Sequence, residues 1–345
     1  MEFKGSFTIT GKVEICYIGI TIVLYPGEEF KIYAVEIIDV QVVKDIYPTF
    51  TDNYIDYPFA YADIVNLTDE YVTVKPMARI EGVNEENIQS PVSSIAPFDT
   101  AKVPFYIIIP ESYTSDKAVL SYADFYLFVL SDRPDDQFQK AVLINSNNSW
   151  DGRVSNLQYF IKKDLEFSIN YSKSALSDYK SLLDTLHNQL EDYYKAKILF
   201  DRFIKHLTYI SDPRATGEYV QFPNQTIELK GGDCDDLSVC YSSLLESVGI
   251  QTALVDYKAS GKVRHVNVLF NTKLSPDRAR IITNNDTRYF VRESVDGEDE
   301  IWLPVEVTSL TNFETAWSLG SEKFNEEAIN DLGIAKGKVT IIDIY

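Results

Sequence analysis

The spacing of the apolar residues changes near residue 150, and this change limits the chain to folds that join a β-rich part to a helical part. Residues 1–150 contain short runs of β-branched and aromatic residues between turn residues, for example "KIYAVEIIDVQVV", "KVPFYIIIP" and "ADFYLFVL". Runs of this length and spacing predict an all-β sandwich. The longest apolar run, Ile15 to Tyr25, is too short to span a bilayer, so it is predicted to be one buried strand.

The sandwich region also carries a weak likeness to a known type of module. The stretch "ADIVNLTDEYVTVKPMARI", followed by "FDTAKVPFYIIIP", resembles the strand–turn–strand pattern of immunoglobulin-like modules. We therefore expect residues 1–150 to form a spacer or a module that binds a protein partner.

A helical period begins after the sandwich. Between Ser155 and Ile210 a seam of residues recurs at alternating steps of four and three. Its members are Leu165, Ile169, Ser172, Leu176, Tyr179, Leu183, Leu186, Leu190 and Tyr193. The seam predicts a long helix or helical connector over residues 151–190. It suits an antiparallel hairpin, a coiled-coil contact with another chain, or a helix lying along its own domain, and we favour the intramolecular arrangements.

The last part of the chain predicts an α+β domain. A helix from Cys234 to Val248 ends at Gly249, and four strand-like runs follow it. They are "TALVDY", "VRHVNVLF", "TRYFVRES" and "EIWLPVEVT". We place this domain at residues 191–325 and a C-terminal strand extension at residues 326–345.

Composition excludes some classes of partner. The chain has 32 Lys and Arg against 52 Asp and Glu, a net charge of −20, which disfavours nucleic acid. The chain has three cysteines, an odd number that is too small for a disulfide framework. No membrane span or signal peptide is predicted, which favours a cytoplasmic protein, although an extracellular or surface-associated protein could carry the same residues.

The stretch "KGGDCDDLSVCYSSLLESVGI" places Cys234 at a helix start. Free N–H groups and the helix dipole there favour a thiolate, and the preceding glycines permit a close approach of the backbone. The neighbouring Asp233, Asp235 and Asp236 would raise the pKa of the thiol, so we expect at least one of them to cap the helix. Cys240 lies near the apolar stripe and is predicted to be buried.

A cysteine nucleophile needs a base and a group that orients the base. His265 lies in a predicted strand soon after the cysteine helix, and Glu306 interrupts a later apolar strand. A carboxylate in such a strand needs a partner, which His265 would provide. Each residue also has a structural explanation, because a lone histidine in a strand is more often structural than catalytic.

The motifs "GGDCDDLSVCYSSLLESVGIQTALV", "RHVNVLF", "WLPVEVT" and "FETAWSLG" resemble, in this order, those of the transglutaminase-like superfamily, in its bacterial and archaeal branch. The resemblance runs from about Tyr193 to Phe324. It implies a papain-like α+β core with Cys234 as nucleophile, His265 as general base and Glu306 as orienting acid. Two positions depart from the family pattern: Arg264 stands where Gly is frequent, and Glu306 where many relatives have Asp.

The resemblance implies acyl transfer at amides through a thioester, most of all by a peptidase or amidase acting on a protein or peptide. The alternatives are a crosslinking transglutaminase and a catalytically silent scaffold or adaptor. Gln221, Arg264 and Asp233 are candidates for oxyanion or substrate contacts, beside the backbone N–H of Cys234. Neither a cofactor nor a metal is predicted. A protein partner could bind through the sandwich or the long helix.

Overall fold

A computed structural model describes residues 5–8, 13–17, 20–24, 29–32, 34–43, 45–129, 133–211, 218–258, 265–294 and 297–344. The chain forms two compact units, Met1–Asn147 and Asn148–Tyr345. The sequence had placed the corresponding boundary at residue 150. The helical segment 151–190 and the C-terminal segment 326–345 both belong to the second unit.

The described residues of the first unit form β-strands and one short helix, α1 (Thr51–Asp56). Its strands are β1 (Gly5–Thr8), β2 (Val13–Tyr17), β3 (Ile20–Leu24), β4 (Glu29–Ile32), β5 (Val35–Val42), β6 (Ala60–Asn66), β7 (Val72–Ile80), β8 (Ile88–Gln89), β9 (Ser93–Ile95), β10 (Thr100–Phe105), β11 (Val119–Phe128) and β12 (Asp136–Ile144). One sheet has the order β10-β6-β5, and the other has the order β12-β11-β7-β8 with β9 also paired to β7.

Alternation along the strands gives this unit its core. Every second residue of β7 is buried, as expected for strands with one face towards a core. The two larger sheets meet at Phe105 of β10 and Phe125 of β11, whose rings pack edge to face with centroids 5.1 Å apart. The N-terminal β-sheets predicted from the sequence are thus present, and the immunoglobulin-like detail stays a prediction.

The run from Ile15 to Tyr25 was wrongly predicted to be a single strand. Its residues are divided between β2 and β3, which pair antiparallel with Tyr17 opposite Ile20. In the part of the chain that the structure describes, no helix is long and apolar enough to cross a membrane.

The second unit mixes helices and strands. Its helices are α2 (Glu166–Ser177), α3 (Lys180–Leu183), α4 (Glu191–Phe203), α5 (Pro223–Leu229), α6 (Cys234–Glu246) and α7 (Phe313–Lys323), with a π-helix at Phe324–Asn330. Short 3₁₀ turns lie at Val154–Phe160, Asn188–Leu190, Ile204–His206, Pro276–Ile281, Asp286–Arg288 and Val307–Ser309. Its strands are β13 (Thr208–Tyr209), β14 (Gly231–Gly232), β15 (Thr252–Tyr257), β16 (His265–Asn271), β17 (Phe290–Glu293), β18 (Asp299–Val305) and β19 (Val339–Asp343).

An antiparallel sheet of order β17-β18-β16-β15-β19 forms the centre of this unit. Strand β19 pairs with β15 and makes the C-terminal segment an edge strand of the sheet. Val266, Val268 and Phe270 of β16 alternate with His265, Asn267 and Leu269, so the two sets point to opposite faces. The mixed content of helix and sheet agrees with the α+β expectation.

The predicted long helix is divided into α2, α3 and α4. The buried residues of α2 are Ser168, Ser172 and Ala175 rather than the leucines of the seam. Ser172 donates to the carbonyl of Leu244 in α6 at 3.1 Å. Small side chains allow α2 to pack closely on α6, whereas Tyr179 of the seam is 48% exposed. Helix α2 therefore lies along its own domain, which is one of the three arrangements the seam suited.

Aromatic rings join α4, α6, α7 and the sheet. Phe313, at the start of α7, is fully buried. The centroid of its ring lies 6.0 Å from that of Phe200 in α4 and 6.2 Å from that of Phe270 in β16. Phe200 in turn packs edge to face on Tyr241 of α6 at 5.2 Å. This cluster fixes the helices against the sheet.

Replacing Phe313 with Ala should therefore destabilise the second unit by about 3–5 kcal/mol, because the cavity has rigid aromatic walls. The chain's 3 tryptophans all lie after residue 147, so tryptophan fluorescence during urea unfolding reports on this unit. Leu319→Ala on the same helix is the control: Leu319 is 44% exposed and should cost under about 1 kcal/mol. Equal losses from both changes would contradict the role given to the cluster.

Candidate active site

The start of α6 is fixed by two carboxylates. Asp233 is the N-cap, and its Oδ1 accepts from the backbone N–H groups of Asp235 at 3.0 Å and Asp236 at 3.4 Å. Asp236 Oδ2 accepts in return from the N–H of Asp233 at 3.2 Å. This reciprocal capping box makes Cys234 the first residue of the helix. The expectation that at least one of the acids would cap the helix is confirmed.

The glycine pair before the helix is required by crowding. A Cβ on Gly232 would lie 2.5 Å from the Cβ of Asp236, and one on Gly231 would lie 2.6 Å from the carbonyl oxygen of Thr208. Both distances are shorter than packed carbon and oxygen atoms allow, so only glycine lets β14 pair with β13 here. Asp236 Oδ1 also accepts from the backbone N–H of Gln221 at 2.7 Å, which holds that loop at the helix start.

The thiol of Cys234 donates to Asp235 Oδ1 at 3.5 Å. Burial, the charge of Asp235 and then that of Asp233 raise the pKa of Cys234, and the backbone N–H of Val266 lowers it only in part. Burial and the charge of Asp233 also raise the pKa of Asp235 to about 8. The helix start favours a thiolate, but burial and the carboxylates outweigh it, so the thiol is neutral at pH 7.

His265 and Glu306 form a direct pair. His265 Nε2 lies 2.7 Å from Glu306 Oε2, and Glu306 Oε1 accepts from the N–H of Thr308 at 3.2 Å and from its hydroxyl at 2.5 Å. Burial acts to raise the pKa of Glu306, but the hydrogen bond and charge of His265, together with Thr308, hold it below its ordinary value. With Nε2 donating to the carboxylate, Nδ1 is the ring nitrogen available to accept a proton.

Helix α7 holds Glu306 at the end of β18. The N–H of Glu306 donates to the carbonyl of Ala316 at 3.0 Å. A Cβ on Gly320 would lie 2.6 Å from the carbonyl oxygen of Pro304 and 2.7 Å from the nitrogen of Glu306. Helix α7 can therefore approach the strand end that carries Glu306 only because Gly320 has no side chain.

Asn267 belongs to the same cluster, although the sequence analysis did not single it out. It is fully buried, and with its amide turned to donate, Nδ2 lies 3.0 Å from Glu306 Oε2 and 3.1 Å from the carbonyl oxygen of Val266. Tyr257 lies opposite His265 on β15, with ring centroids 6.3 Å apart. The alternation along β16 could have found Asn267, because it is a polar residue two places after the histidine on the same face.

Tyr209 is a second residue that the sequence did not indicate. Burial and then the charges of Cys234, Asp233, Asp235 and Glu306 raise the pKa of its phenol. This single side chain, 48% exposed, is therefore close enough to interact electrostatically with both Cys234 and Glu306. Tyr209 lies on the two-residue strand β13, which is too short to show a periodic pattern in the sequence.

The candidate residues are placed as follows. Cys234 lies next to the backbone of Val266, the residue after His265, but makes no hydrogen bond to His265 among the contacts of the described residues. The carboxylate of Asp233 is engaged at the helix cap. Oε1 of Gln221 is buried and lacks a hydrogen-bond partner within the described ranges. Arg264 lies outside the described residues.

A metal ion could be held by one group of side chains at this helix start. The ligand atoms of Asp233, Cys234 and Asp235 lie within 4.8 Å of one another. The same arrangement follows from helix capping, since Asp233 Oδ1 already accepts two backbone hydrogen bonds. The group therefore has a structural explanation that does not depend on an ion.

Comparison with known proteins gives a family match over the range that contains the site. Residues 180–306 match the model of the transglutaminase-like superfamily, a range that contains Cys234, His265 and Glu306. No curated protein matches the chain in sequence. Among solved structures, that of a putative protease from Parabacteroides distasonis ATCC 8503 is similar at 11% identity and a TM-score of 0.27, covering 84% of this chain. This chain spans 48% of that protein's chain, about half of its length.

The contact between the thiol and Asp235 makes the reactivity of Cys234 testable. Asp235→Asn removes a carboxyl group that ionises near pH 8, so the thiolate should form at lower pH and react with iodoacetamide about 10-fold faster at pH 9. The gain should be smaller at pH 7, because Asp235 then mostly keeps its proton. Mass spectrometry would give the rate for Cys234, with buried Cys240 as the internal reference and exposed Asp331→Asn as the control. A rate that Asp235→Asn leaves unchanged at pH 9 would contradict this electrostatic argument.

Proposed function

We propose that this chain, whose residues 180–306 match the model of the transglutaminase-like superfamily, is a cysteine acyl-transfer enzyme that acts on amide bonds as a peptidase or amidase. The observation that carries the proposal is the 2.7 Å contact between His265 and Glu306, beside a helix that begins at Cys234. A nucleophile at a helix start, a histidine and an orienting carboxylate are the groups that such chemistry needs. The papain-like arrangement of the core is part of the same proposal.

The reaction begins with a proton transfer. Cys234 gives its thiol proton to Nδ1 of His265, and Glu306 stabilises the imidazolium that forms. The sulfur then attacks the carbonyl carbon of the amide, and the carbonyl oxygen takes up the negative charge. The backbone N–H of Cys234 and the side-chain amide of Gln221 are the candidate donors to this oxyanion.

Two further steps release the products. The C–N bond breaks as His265 returns its proton to the leaving amine, which leaves a thioester on Cys234. Water then gives a proton to His265 and attacks the thioester carbon. The C–S bond breaks, the acid leaves, and the proton returns from His265 to the sulfur.

The thiol of Cys234 must break its hydrogen bond to Asp235 before it can react. Turning about the Cα–Cβ bond moves a cysteine sulfur between staggered positions without shifting the helix. In one of these positions the thiol meets Asp235, and the proposal requires another in which it faces Nδ1 of His265. Such a change would make the resting enzyme slow to react with thiol reagents until substrate occupies the site.

The contact with Asp235 also favours a second candidate, a catalytically silent scaffold. A neutral thiol that donates to a carboxyl group is a stable packing arrangement and has no need of a base. In that case the pair of His265 and Glu306 would remain as a structural contact between β16 and the end of β18. Activity measurements separate the two candidates.

The proposal predicts that turnover depends on the side chains of Cys234 and His265. We expect Cys234→Ala to lower kcat/KM by at least about 1,000-fold and His265→Ala by about 100- to 10,000-fold. A fluorogenic library of peptide amides measures hydrolysis, and dansylcadaverine incorporation into casein measures crosslinking. His187→Gln, at an exposed histidine, is the matched control.

Two results would count against the enzyme. Full activity in Cys234→Ala would show that Cys234 is not the nucleophile. Absence of turnover by the wild type on every amide, with a lowered thermal stability in Cys234→Ala, would favour the scaffold instead, because the thiol would then serve only in packing.

Asn267 is expected to orient the pair without touching the substrate. Asn267→Asp places a second carboxylate about 3 Å from Glu306, so kcat should fall about 10-fold with little change in KM, and the acid limb of the pH profile should move. Asn271→Asp is the control, because Asn271 is a buried asparagine on the same face of β16 that binds Gln251 and Glu300 instead. If both variants lower kcat equally, Asn267 has only a structural role.

A further inference from the structure

A cleft of about 350 Å³ in the second unit collects positive charge. The cleft is lined by Arg202 in the last turn of α4, Lys205 and His206 in the 3₁₀ turn that follows, and Lys230 after α5. The chain as a whole carries a net charge of −20, so a cleft lined by basic residues without a facing carboxylate is a local exception. Such a cleft attracts anions, while the rest of the surface repels them.

The basic side chains of the cleft have at most weak ion-pair partners among the described residues. Lys205 and Lys230 are exposed and form no ion pair within the part of the chain that the structure describes. Arg202 Nη1 lies 3.8 Å from Asp178 Oδ2, but both side chains are largely exposed, so water and salt weaken their attraction. The basic groups are therefore available to a ligand.

Apolar groups lie between the cations. Phe203, Leu207 and Ile227 line the same cleft, together with the ring of Tyr171. Phe203 is 2% exposed, which makes its ring part of the core below the cleft. A ligand that matches both features has an anionic group and an apolar part, as a short acidic and aliphatic peptide does.

The cleft lies close to Cys234. Lys230 precedes Cys234 by four residues, which span at most about 14 Å even when fully extended. Strands β13 and β14 join the two sites directly, since Thr208 pairs with Gly231. Ile210 and Leu229, beside these strands, are 53% and 63% exposed, so apolar surface extends beyond the cleft.

We propose that this cleft binds acidic side chains of a peptide whose neighbouring residues are apolar, and so selects acidic peptides as substrates. Extended apolar surface beside the cations favours a peptide over a small free anion. The selection of substrates rests on the function proposed above. Binding of the peptide does not, because it can be measured without turnover.

The test uses the full chain carrying Cys234→Ala, so that a bound peptide is not cleaved. Fluorescence anisotropy compares a labelled peptide of sequence Leu-Glu-Glu-Leu with its counterpart Leu-Gln-Gln-Leu at low salt. We expect the acidic peptide to bind at least about fivefold more tightly. Lys205→Gln and Lys230→Gln, which change exposed side chains only, should together abolish most of that preference, and Lys338→Gln, an exposed lysine outside the cleft, should not.

The outcomes separate the possible occupants. Equal binding of the two peptides, or a preference that survives the double substitution, overturns the proposal. Displacement of the acidic peptide by millimolar inorganic phosphate, at constant ionic strength, also overturns it, because the cleft would then be a site for small anions. Selective binding without turnover by the wild type supports the cleft and counts against the enzymatic function, so the two failures are distinguishable.

Discussion

The site depends on one buried carboxylate, that of Asp236. It is 1% exposed and accepts from the backbone N–H groups of Gln221 and Asp233. A buried carboxylate without such partners would destabilise the fold by several kcal/mol. Because its partners lie in the preceding loop and at the helix cap, Asp236 joins both to the first turn of α6. The side chain also occupies the space where Gly232 would carry a Cβ, which explains the glycine.

Capping of this helix and ionisation of its first-turn thiol have conflicting requirements for nearby carboxylates. Capping requires carboxylates beside the backbone N–H groups, and the proposed chemistry requires a thiol that ionises easily. Asp233 and Asp236 meet the first demand, while Asp235, between them in the first turn, faces the sulfur and opposes the second. The positive end of the helix therefore mainly stabilises carboxylates rather than a thiolate. In the proposed mechanism, activation therefore has to come from His265, whose chain neighbour Val266 lies beside the thiol.

The sequence predicted the local elements of the site better than the packing around them. Helix α6 begins at Cys234 as expected, because Asp233 and the glycine pair are strong local signals. The division of the long helix was missed, since residues 153–212 contain neither glycine nor proline. Ser172 belongs to the predicted seam, but the burial of Ser168 and Ala175 was missed: close packing of α2 on α6 selects small side chains, and a seam of larger apolar residues conceals that choice. The contact of Asp235 with the thiol depends on side-chain positions within one turn, for which a sequence holds no periodic signal.

Strand register determines which side chains Glu306 can reach. Val268 pairs with Val305, so one step further along the ladder Asn267 lies opposite Glu306. His265 is then the diagonal neighbour of Glu306, at a separation of about 7–8 Å between backbone positions. A carboxylate must cross this diagonal to reach Nε2, and the glutamate side chain does so, with Oε2 2.7 Å from Nε2. Asn267, directly opposite, occupies the space beneath the crossing and can donate to the same oxygen. A slip of one residue would turn Glu306 to the other face of the sheet and separate it from both partners, so the register of β16 and β18 is itself a determinant of the site.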